Sequence, residues 1–584
     1  MSSIKKRNEN FKKIPKQHLV KRLEKIGELK NNPRPDGSEK LTSYDLYNNS
    51  VWNKIMKITV LDYGAGNVRS LINAVEKMGG SIKMVEKPED ILAAERLIFP
   101  GVGNYGAMLE ILHARGFVAP LREYLNADRP FLGICVGMQA LFEGSEEELV
   151  PNESIGFFKG RVKRFRTELS VPHIGWNGIH IKQDSPFLDG VEPDTKFYFV
   201  HSYHVVPENP DVILTTTTYD YPYASAVQEG NIIGTQFHPE KSGAAGMKLI
   251  DNFIHSDSLK ARGPADIPAK GLSKRVIACL DVRSNDNGDL VVTKGDQYDV
   301  REAGSVRNLG KPVALAKKYY EQGADEITFL NITGFRDFPL EDMPMLKVLE
   351  ETSKQVFVPL TIGGGIREFT DARGRNYSSL DVASRYFRAG ADKVSIGSDA
   401  VYIAMAYRES GQKTKRSAIE EISRVYGAQA VVISIDPKRA WVVSPEDAPK
   451  HHVVKVTSGE NGPNGEVYCW YQCTVSGGRK AMDIDAVALA KACEALGAGE
   501  ILLNCIDKDG TKSGFDLDLI NAVRSNVTIP VIASSGAGCE AHFSEVFKCT
   551  KAEAALAAGI FHREEVPIQS VKQHLAEQGI EVRK

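Results

Sequence analysis

The sequence of 584 residues lacks a long apolar run. A helix that spans a membrane needs about 20 consecutive apolar residues, so we predict no membrane partner. An excess of charge of one sign is also missing, because 73 Lys and Arg residues and 75 Asp and Glu residues leave a formal net charge of -2. Proteins that bind nucleic acid usually carry a basic excess, and we therefore predict no nucleic-acid partner.

Cysteine is scarce, with eight residues in the whole chain. This number is too small for a disulfide scaffold and fits a reducing compartment. The closest pair, Cys469 and Cys473, is followed by no second pair at the spacing of a zinc site, so we interpret both as free thiols. The sequence predicts neither a metal site nor a cofactor.

Residues 1–55 lack the apolar segment of a secretory signal, and Lys and Arg outnumber Asp and Glu there. Acidic residues such as Glu24 and Glu28 are unusual in a transit peptide. We therefore predict a basic, mostly disordered extension and a cytoplasmic protein, with a plastid as the alternative if the source is photosynthetic.

The remaining chain predicts two domains, because its length exceeds what one hydrophobic core normally supports. Residues 56–255 alternate strand-like and helical patterns and predict an α/β domain with a mostly parallel sheet and flanking helices. Residues 256–273 contain Gly-Pro and Ile-Pro breakers and predict a linker. Residues 274–584 contain eight strand-like runs separated by helical stretches, the pattern of a (β/α)8 TIM barrel. Insertions near 401–420 and 440–478 are expected to lie in loops.

The segment Gly133–Gln139 contains a cysteine. A short apolar run precedes the segment and a helical pattern follows it. Cys135 would therefore lie on a sharp turn between a strand and a helix, as the nucleophile of a hydrolase elbow does. Flanking glycines allow such a turn, and the N-terminus of a helix favours a thiolate. A buried structural cysteine is the alternative.

A second segment, Gln236–Glu240, supplies the groups that a nucleophilic thiolate needs. His238 and Glu240 are two residues apart and would share one face of an extended segment. A base and the acceptor that orients it are arranged in this way in catalytic triads.

A third segment, Phe99–Gly103, places a glycine-rich turn after another apolar run. Backbone N–H groups on such a turn can hold a developing oxyanion. We assign this role to the turn and to the residue after the cysteine, which are Gly101, Val102, Gly103 and Val136.

Together the three segments resemble the class I glutamine amidotransferases, which hydrolyse glutamine to glutamate and ammonia with a Cys-His-Glu triad. The resemblance implies that glutamine is a substrate and that Cys135, His238 and Glu240 are catalytic. Gln139, one turn into the helix that follows the cysteine, would contact the amino-acid end of glutamine.

The barrel segment repeats its own pattern in two halves. The first and fifth runs end in an acid, Asp281 and Asp436, and glycine-rich turns follow the third, fourth, seventh and eighth runs. Glycine-rich turns after strands expose N–H groups that bind phosphate, on the face where barrel active sites lie. We predict a substrate with a phosphate at each end and two carboxylates that divide general acid and general base roles. A helix cap or a buried ion pair is the alternative for each aspartate.

The barrel resembles the cyclase of the imidazole glycerol phosphate synthases of histidine biosynthesis. The resemblance rests on Ala278–Val282, Gly363–Ile366 and Asp507–Thr511, and two domains in one chain resemble the fused eukaryotic form. It implies that ammonia and phosphoribulosyl-formimino-aminoimidazole carboxamide ribonucleotide yield imidazole glycerol phosphate and aminoimidazole carboxamide ribonucleotide (AICAR), with Asp281 and Asp436 as the catalytic acids.

The same resemblance implies which residues bind the bisphosphorylated substrate. They are Lys294, Gly364, Gly365, Gly397, Ser398, Asn504, Asp509, Gly510, Ser535, Gly536, Ala558 and Gly559. The chain departs from the common pattern at Gly397 and Ser398, where bacterial sequences often have Asn-Thr, and at Ser535, where glycine is usual.

Charged residues stand at the starts of four predicted barrel strands, namely Arg275, Glu326, Lys393 and Glu500. Charges are unusual in a packed barrel unless they pair. An ordinary solvated barrel base is the alternative, and the family resemblance implies a gate for ammonia. Because free ammonia protonates in neutral water, we predict that the glutaminase domain covers the N-terminal face of the barrel, within a monomeric chain.

Other functions would use part of this pattern. A phosphoribosyl isomerase-type barrel needs the same acids and phosphate turns, but it has no use for ammonia. Pyridoxal phosphate synthase joins a glutaminase to a barrel, but it needs a Schiff-base lysine at the end of the first strand, where this chain has Asp281. A glutamine-sensing scaffold without activity would not need an intact triad.

Overall fold

The computed structural model describes residues 56–64, 66–147, 153–285, 290–293, 301–302, 305–306, 308–332, 344–371 and 373–584. Lys57 to Lys584 form one compact unit, and the extension predicted for 1–55 lies outside the described residues. No helix within the described ranges is long and apolar enough to cross a membrane.

The first part of this unit contains sheets with helices packed around them. Its strands are β1 (Lys57–Val60), β2 (Ser81–Met84), β3 (Arg96–Gly101), β4 (Phe131–Cys135), β5 (Gly160–Arg164), β6 (His173–Gly178), β7 (His180–Asp184), β8 (Lys196–His201), β9 (Tyr203–Pro207), β10 (Ile213–Tyr219), β11 (Tyr221–Glu229), β12 (Ile232–Thr235) and β13 (Gly263–Ile267). Its helices are α1 (Val68–Lys77), α2 (Pro88–Leu92), α3 (Tyr105–Ala114), α4 (Val118–Asn126), α5 (Val136–Gln139) and α6 (Gly243–His255).

The main sheet of this part has nine strands in the order β13-β7-β10-β11-β12-β4-β3-β1-β2. Its half from β12 to β2 is parallel, and its half from β12 to β13 is antiparallel. The sheet is thus mixed where the sequence predicted a mostly parallel one, because hairpins rather than crossover helices join β10, β11 and β12. Strand β13 lies in the predicted linker and extends the edge of this sheet.

The second part contains the barrel and its additions. Its strands are β14 (Arg275–Ser284), β15 (Leu290–Thr293), β16 (Arg301–Glu302), β17 (Ser305–Val306), β18 (Glu326–Asn331), β19 (Leu360–Gly363), β20 (Phe369–Thr370), β21 (Asn376–Tyr377), β22 (Lys393–Ile396), β23 (Val431–Ile435), β24 (Pro437–Val442), β25 (Val453–Lys455), β26 (Tyr468–Val475), β27 (Lys480–Asp485), β28 (Glu500–Asn504), β29 (Val531–Ser534) and β30 (Ala554–Ala557). Its helices are α7 (Pro312–Glu321), α8 (Pro344–Ser353), α9 (Ser379–Ala389), α10 (Ser398–Ser410), α11 (Ala418–Tyr426), α12 (Ala486–Leu496), α13 (Leu517–Arg524), α14 (Glu540–Cys549), α15 (Gly559–His562) and α16 (Ile568–Glu577).

Eight parallel strands close into a barrel in the order β14-β18-β19-β22-β23-β28-β29-β30, and β30 pairs with β14. This confirms the predicted TIM barrel. Inward-facing side chains fill its centre, namely Ile277, Cys279, Val432, Leu502, Ile532, Ala554 and Leu556. The barrel is therefore packed, as expected for eight strands.

The two predicted insertions lie between barrel strands, as the sequence indicated, and they contain regular secondary structure. Most of 401–420 belongs to α10 and the start of α11, and 440–478 contributes strands to an antiparallel sheet in which β26 pairs with β24, β25 and β27. This accessory sheet is held to the barrel by buried Asp516, which accepts hydrogen bonds from Arg439 and from the Tyr471 hydroxyl. Cys469 and Cys473 lie on β26 as free, buried thiols, as predicted.

Candidate active site

Cys135 lies on the turn between β4 and α5, which is the elbow expected from the sequence. Its backbone has φ 55° and ψ -107°, a conformation that is strained for a residue with a side chain. A Cβ atom on Gly133 would lie 2.6 Å from the Gly137 carbonyl oxygen, and one on Gly137 would lie 1.9 Å from the Phe99 carbonyl oxygen. The two glycines therefore allow the elbow to pack tightly against β3.

His238 and Glu240 are brought to this elbow by the segment that follows β12. Nδ1 of His238 lies 2.8 Å from Oε1 of Glu240, and both side chains are buried. Burial alone would lower the pKa of His238, but the charges of Glu240 and Cys135 raise it to about 10. Nε2 of His238 has no partner with full hydrogen-bond geometry among the described residues, but the Cys135 thiol interacts with this imidazole closely enough to contribute to the raised pKa.

The turn predicted to bind the oxyanion lies beside the elbow. Gly101 is opposite Cys135 in the β3–β4 register, and a Cβ atom on Gly101 would lie 3.0 Å from the Cβ atom of Val136. Within the described part of the chain, the N–H groups of Val102 and Gly103 donate to no backbone oxygen. Val136 begins a helix, where N–H groups lack intrahelical acceptors. The arrangement offers several donors near the thiol.

Gln139 is buried, and its amide donates to the Tyr203 carbonyl and to Oε1 of Gln236, both at 3.1 Å. The Gln236 amide in turn donates to Sγ of Cys135 at 3.4 Å. The structure thus places Gln139 behind Gln236, and its contact with glutamine stays a prediction. Sequence reasoning missed Gln236 as a partner of the thiol, although it lies in the segment that carries His238.

Glu147 was also missed. Its carboxylate accepts a hydrogen bond of 2.8 Å from the N–H of Tyr105, the first residue of α3, which follows the oxyanion turn. Burial raises the pKa of Glu147 to about 7, against the lowering effect of that hydrogen bond. In the sequence, Glu147 lies in a run of acidic residues that predicts a solvated surface, so no local signal could have singled it out.

The two predicted catalytic acids of the barrel lie at the C-terminal ends of opposite strands. Asp281 is on β14 and Asp436 follows β23, which is four strands away around the eight-stranded barrel. The Asn504 amide donates to Oδ1 of Asp436 at 2.8 Å, whereas the Cys279 thiol lies 3.8 Å from Oδ1 of Asp281. The two carboxylates therefore have different surroundings, which suits a division of acid and base roles.

One group of predicted phosphate-binding residues follows the neighbouring strands β19 and β22. Gly364 and Gly365 have φ values of 94° and 78°, which glycine adopts without strain. Gly397 precedes α10 and Ser398 begins it, so both lie at a helix N-terminus. The Ser398 hydroxyl accepts a hydrogen bond of 3.0 Å from the N–H of Ser476, in the turn between β26 and β27 of the accessory sheet.

A second group lies on the other side of the barrel mouth, after β28, β29 and β30. It contains Asp509, Gly510, Ser535, Gly536, Ala558 and Gly559. Ser535 has a φ of 72°, which explains physically why glycine is usual at this position. The structure thus forms two separated groups of turns, as a substrate with two phosphates requires. Lys294 lies outside the described residues, so its role in substrate binding stays a prediction.

The four charges at the strand starts form a closed ring at the base of the barrel. Arg275 contacts Glu326 at 3.0 Å and also pairs with Glu500. Lys393 contacts the same two carboxylates at 2.7 and 2.6 Å. Burial alone would raise the pKa of Glu500, but Arg275 and Lys393 hold it below its ordinary value. All four side chains are at most 1% exposed, so the alternative of a solvated barrel base is wrong.

The glutaminase part covers this base. Lys241, next to Glu240, forms a 2.6 Å ion pair with Asp392, next to Lys393. Asn67 also donates to Asp392, at 2.8 Å, and the Trp176 indole donates to the Asp325 carbonyl at 3.0 Å. Asp325 and Asp392 directly precede β18 and β22, so the contact is with the N-terminal face of the barrel.

Comparison with known proteins connects this geometry to a family. The glutamine amidotransferase class-I family matches residues 59–256, and the histidine biosynthesis protein family matches residues 275–567. Imidazole glycerol phosphate synthase hisHF, chloroplastic, from Arabidopsis thaliana is 59% identical over 533 residues, which cover 90% of this chain and 89% of the relative. The chain belongs to the hisHF imidazole glycerol phosphate synthases.

Other hisHF imidazole glycerol phosphate synthases are similarly close. Those of Schizosaccharomyces pombe and Emericella nidulans are 54% and 52% identical over 545 and 551 residues, each covering 90% of this chain. The matches cover 100% and 99% of these relatives. This hisHF member is therefore an enzyme with a glutamine amidotransferase domain and a cyclase barrel, and not a phosphoribosyl isomerase or an inactive scaffold.

Proposed function

We propose that this chain makes ammonia from glutamine at Cys135 and uses it in the barrel to form imidazole glycerol phosphate and AICAR from phosphoribulosyl-formimino-aminoimidazole carboxamide ribonucleotide. The observation that carries the proposal is the juxtaposition of a Cys-His-Glu site with the charged base of a barrel. The Lys241–Asp392 ion pair joins the two directly.

At the glutaminase site, the Cys135 thiolate attacks the amide carbon of glutamine. His238 is protonated at neutral pH, because Glu240 and Cys135 raise its pKa to about 10, and it gives its proton to the amide nitrogen as the C–N bond breaks, so that neutral ammonia leaves. The N–H groups of the Gly101–Gly103 turn and of Val136 stabilise the oxyanion. Water then hydrolyses the thioester and releases glutamate.

Ammonia must then pass the ring of Arg275, Glu326, Lys393 and Glu500, which is closed in this structure. Opening requires one buried ion pair to separate. Breaking such a pair is costly unless other groups replace the lost contacts, so the ring keeps water and bulk ions out between turnovers. Beyond the ring, ammonia must pass between the side chains that fill the barrel to reach the mouth with Asp281 and Asp436.

At the barrel mouth, the two groups of turns bind the terminal phosphates. Asp281 and Asp436 then lie on opposite sides of the reacting centre. One acts as general base and the other as general acid during ammonia addition and ring closure. The Asn504 amide orients Asp436 through the 2.8 Å hydrogen bond.

The Cys135→Ala variant tests the proposal. Glutamine-dependent product formation should fall by at least about 10³-fold, whereas an ammonium salt at alkaline pH should still support cyclisation. Asp436→Asn should lose product formation with either nitrogen source. Cys549→Ala, which changes an exposed free cysteine, is the control. Glutamate release that persists in Cys135→Ala would overturn the proposal.

We also propose the boundaries 56–255 for the glutaminase domain, 256–273 for the linker and 274–584 for the cyclase domain. Separate expression of the two domains followed by mixing would test these boundaries.

We also propose that the protein is a cytoplasmic monomer. The Arabidopsis relative is named as chloroplastic, so imaging of a fluorescent fusion and light scattering of the purified chain would check location and oligomeric state.

A further inference from the structure

A tyrosine hydroxyl is bound to the turn that is proposed to hold the oxyanion. Tyr63 follows β1 and is 4% exposed. Its hydroxyl donates to the carbonyl oxygen of Val102 at 2.8 Å. Residues 63 and 102 are 39 positions apart in the chain, so this bond depends on the packing of β1 against β3.

Packing contacts also restrain the aromatic ring of Tyr63. It packs edge to face on Phe99, with centroids 6.2 Å apart and an interplanar angle of 87°. Its Cε1 atom lies 3.4 Å from the position that a Cβ atom on Gly101 would occupy. The side chain therefore contacts the turn at Phe99, Gly101 and Val102, and it has little room to change rotamer.

The hydroxyl stays a donor over the working pH range. Burial, followed by the charge of Cys135, raises the pKa of Tyr63 well above its ordinary value. The ring contacts the position of Gly101, which lies opposite Cys135 in the β3–β4 register. A hydroxyl that remains protonated beside the nucleophile can hold a carbonyl but cannot act as a base at neutral pH.

Fixing one atom of a peptide group fixes the group. The Val102–Gly103 peptide is planar and trans, so its N–H points opposite to its C=O. Because the Val102 oxygen accepts the hydrogen bond from Tyr63, the orientation of this peptide is restrained, and the direction in which the N–H of Gly103 points is restrained with it. In the described part of the chain, this N–H donates to no backbone oxygen, and it therefore remains available.

We propose that Tyr63 is a positioning residue of the glutaminase reaction, whose hydroxyl holds the Val102–Gly103 peptide so that the turn presents N–H groups to the oxyanion. This inference rests on the proposed function and extends it to a residue that touches no substrate. A carbonyl oxygen turned toward the developing negative charge would oppose the reaction, whereas an N–H group stabilises it.

The Tyr63→Phe variant tests this role, because it removes only the hydroxyl. Oxyanion stabilisation acts in the transition state, so the kcat for glutamate release should fall about tenfold, while the KM for glutamine changes less than about twofold. Cyclisation with added ammonium salt should not change, which shows that the variant is folded. Tyr124→Phe is the matched control, since this hydroxyl also donates to a carbonyl at 2.8 Å, that of Pro130.

A second measurement reports the oxyanion directly. L-Glutamate γ-semialdehyde carries an aldehyde in place of the amide, and thiol addition gives a tetrahedral adduct whose oxygen occupies the oxyanion position. Its inhibition constant should rise in Tyr63→Phe by about the same factor as kcat falls, since both depend on the same donors.

The kinetic results for the variants distinguish a positioning role of Tyr63 from a purely structural one. A kcat that is unchanged or raised, a loss shared by Tyr124→Phe, or an unchanged inhibition constant for the aldehyde would refute the positioning role. If Cys135→Ala still released glutamate, the proposed function itself would fail, whatever the result for Tyr63. Loss of glutamate release in Cys135→Ala with normal kinetics in Tyr63→Phe would refute only the inference about the tyrosine.

Discussion

Glu147 shows how burial changes a single residue beside the glutaminase site. Its pKa is raised by burial to about 7, so the folded state keeps a proton that the unfolded state releases above pH of about 4.3. The stability of the folded state should therefore decrease as the pH rises from about 4.3 to 7. The effect of this group is opposite to that of a carboxylate paired with a cation.

The Glu147→Gln variant should remove this dependence. Between pH 5 and 8, the wild type should lose about 2 kcal/mol of unfolding free energy relative to the variant, a value that allows for partial solvent screening. Urea denaturation at both pH values measures the difference. Glu110→Gln, on the exposed side of α3, is the control. Parallel pH profiles for wild type and Glu147→Gln would contradict the expectation.

Lys393 is the residue through which the ring can be tested. Lys393→Met leaves the carboxylates of Glu326 and Glu500 with only Arg275 as a cation. A buried charge without its partner costs about 3–5 kcal/mol, so the ring should rearrange and water should enter. We expect the ratio of glutamate released to imidazole glycerol phosphate formed to exceed one. Lys354→Met, just after α8 in an exposed pair with Glu351, should keep the ratio at one.

At the scale of elements, helix α6 packs against the segment that carries His238 and Glu240. Gly246 lies so close to this segment that a Cβ atom would be 1.8 Å from the Pro239 carbonyl oxygen. Because backbone cannot yield like a flexible side chain, any larger residue must push the segment away from Cys135. The close packing of one helix on one turn therefore sets the geometry of the base.

Gly246→Ala should thus lower glutamine-dependent turnover by about 10²-fold, since a small displacement of a catalytic group greatly reduces the reaction rate. Turnover with ammonium salt should persist, because the barrel does not depend on this contact. Gly271→Ala is the control, as a Cβ atom there meets nothing within 4 Å. Equal losses with glutamine and with ammonium would show that the variant disrupts the whole fold instead.

At the scale of the whole molecule, the proposed glutaminase and cyclase sites lie at opposite faces of the barrel, and the glutaminase domain contacts the barrel base. Lys241 and Asp392 join the segments that carry Glu240 and Lys393. Asp392 also accepts hydrogen bonds from Asn67 and from the N–H of Leu360. One partly buried carboxylate therefore connects the glutaminase domain to the start of two barrel strands.

Asp392→Asn should separate the two activities. Lys241 would lose its anionic partner, and we expect glutamine-dependent cyclisation to fall more than tenfold while ammonium-dependent cyclisation stays within about twofold. Parallel assays with the two nitrogen sources measure this. Asp251→Asn, which changes an exposed ion pair on α6, should affect neither. An equal decrease in both assays would argue that Asp392 only stabilises the barrel.

The sequence alone determined the features that depend on neighbours in the chain. Alternating apolar runs predicted all eight barrel strands, and glycines beside Cys135 predicted the elbow, because the backbone there needs residues without a side chain. The spacing of His238 and Glu240 predicted the pair that lies at 2.8 Å. These patterns are local, so the residues themselves carry the information.

Only the tertiary structure decided the contacts between distant segments. No unambiguous pattern in the local sequence predicts the hydrogen bond from Tyr63 to Val102 or the place of Glu147 beside α3. The same is true of the antiparallel half of the first sheet and of the accessory sheet at 437–485. The ring could be suspected from four charges, but its closure joins residues up to 225 positions apart. Such contacts form only when packing brings the elements together, because burial and hydrogen bonding depend on the partner that each group meets and not on its sequence neighbours.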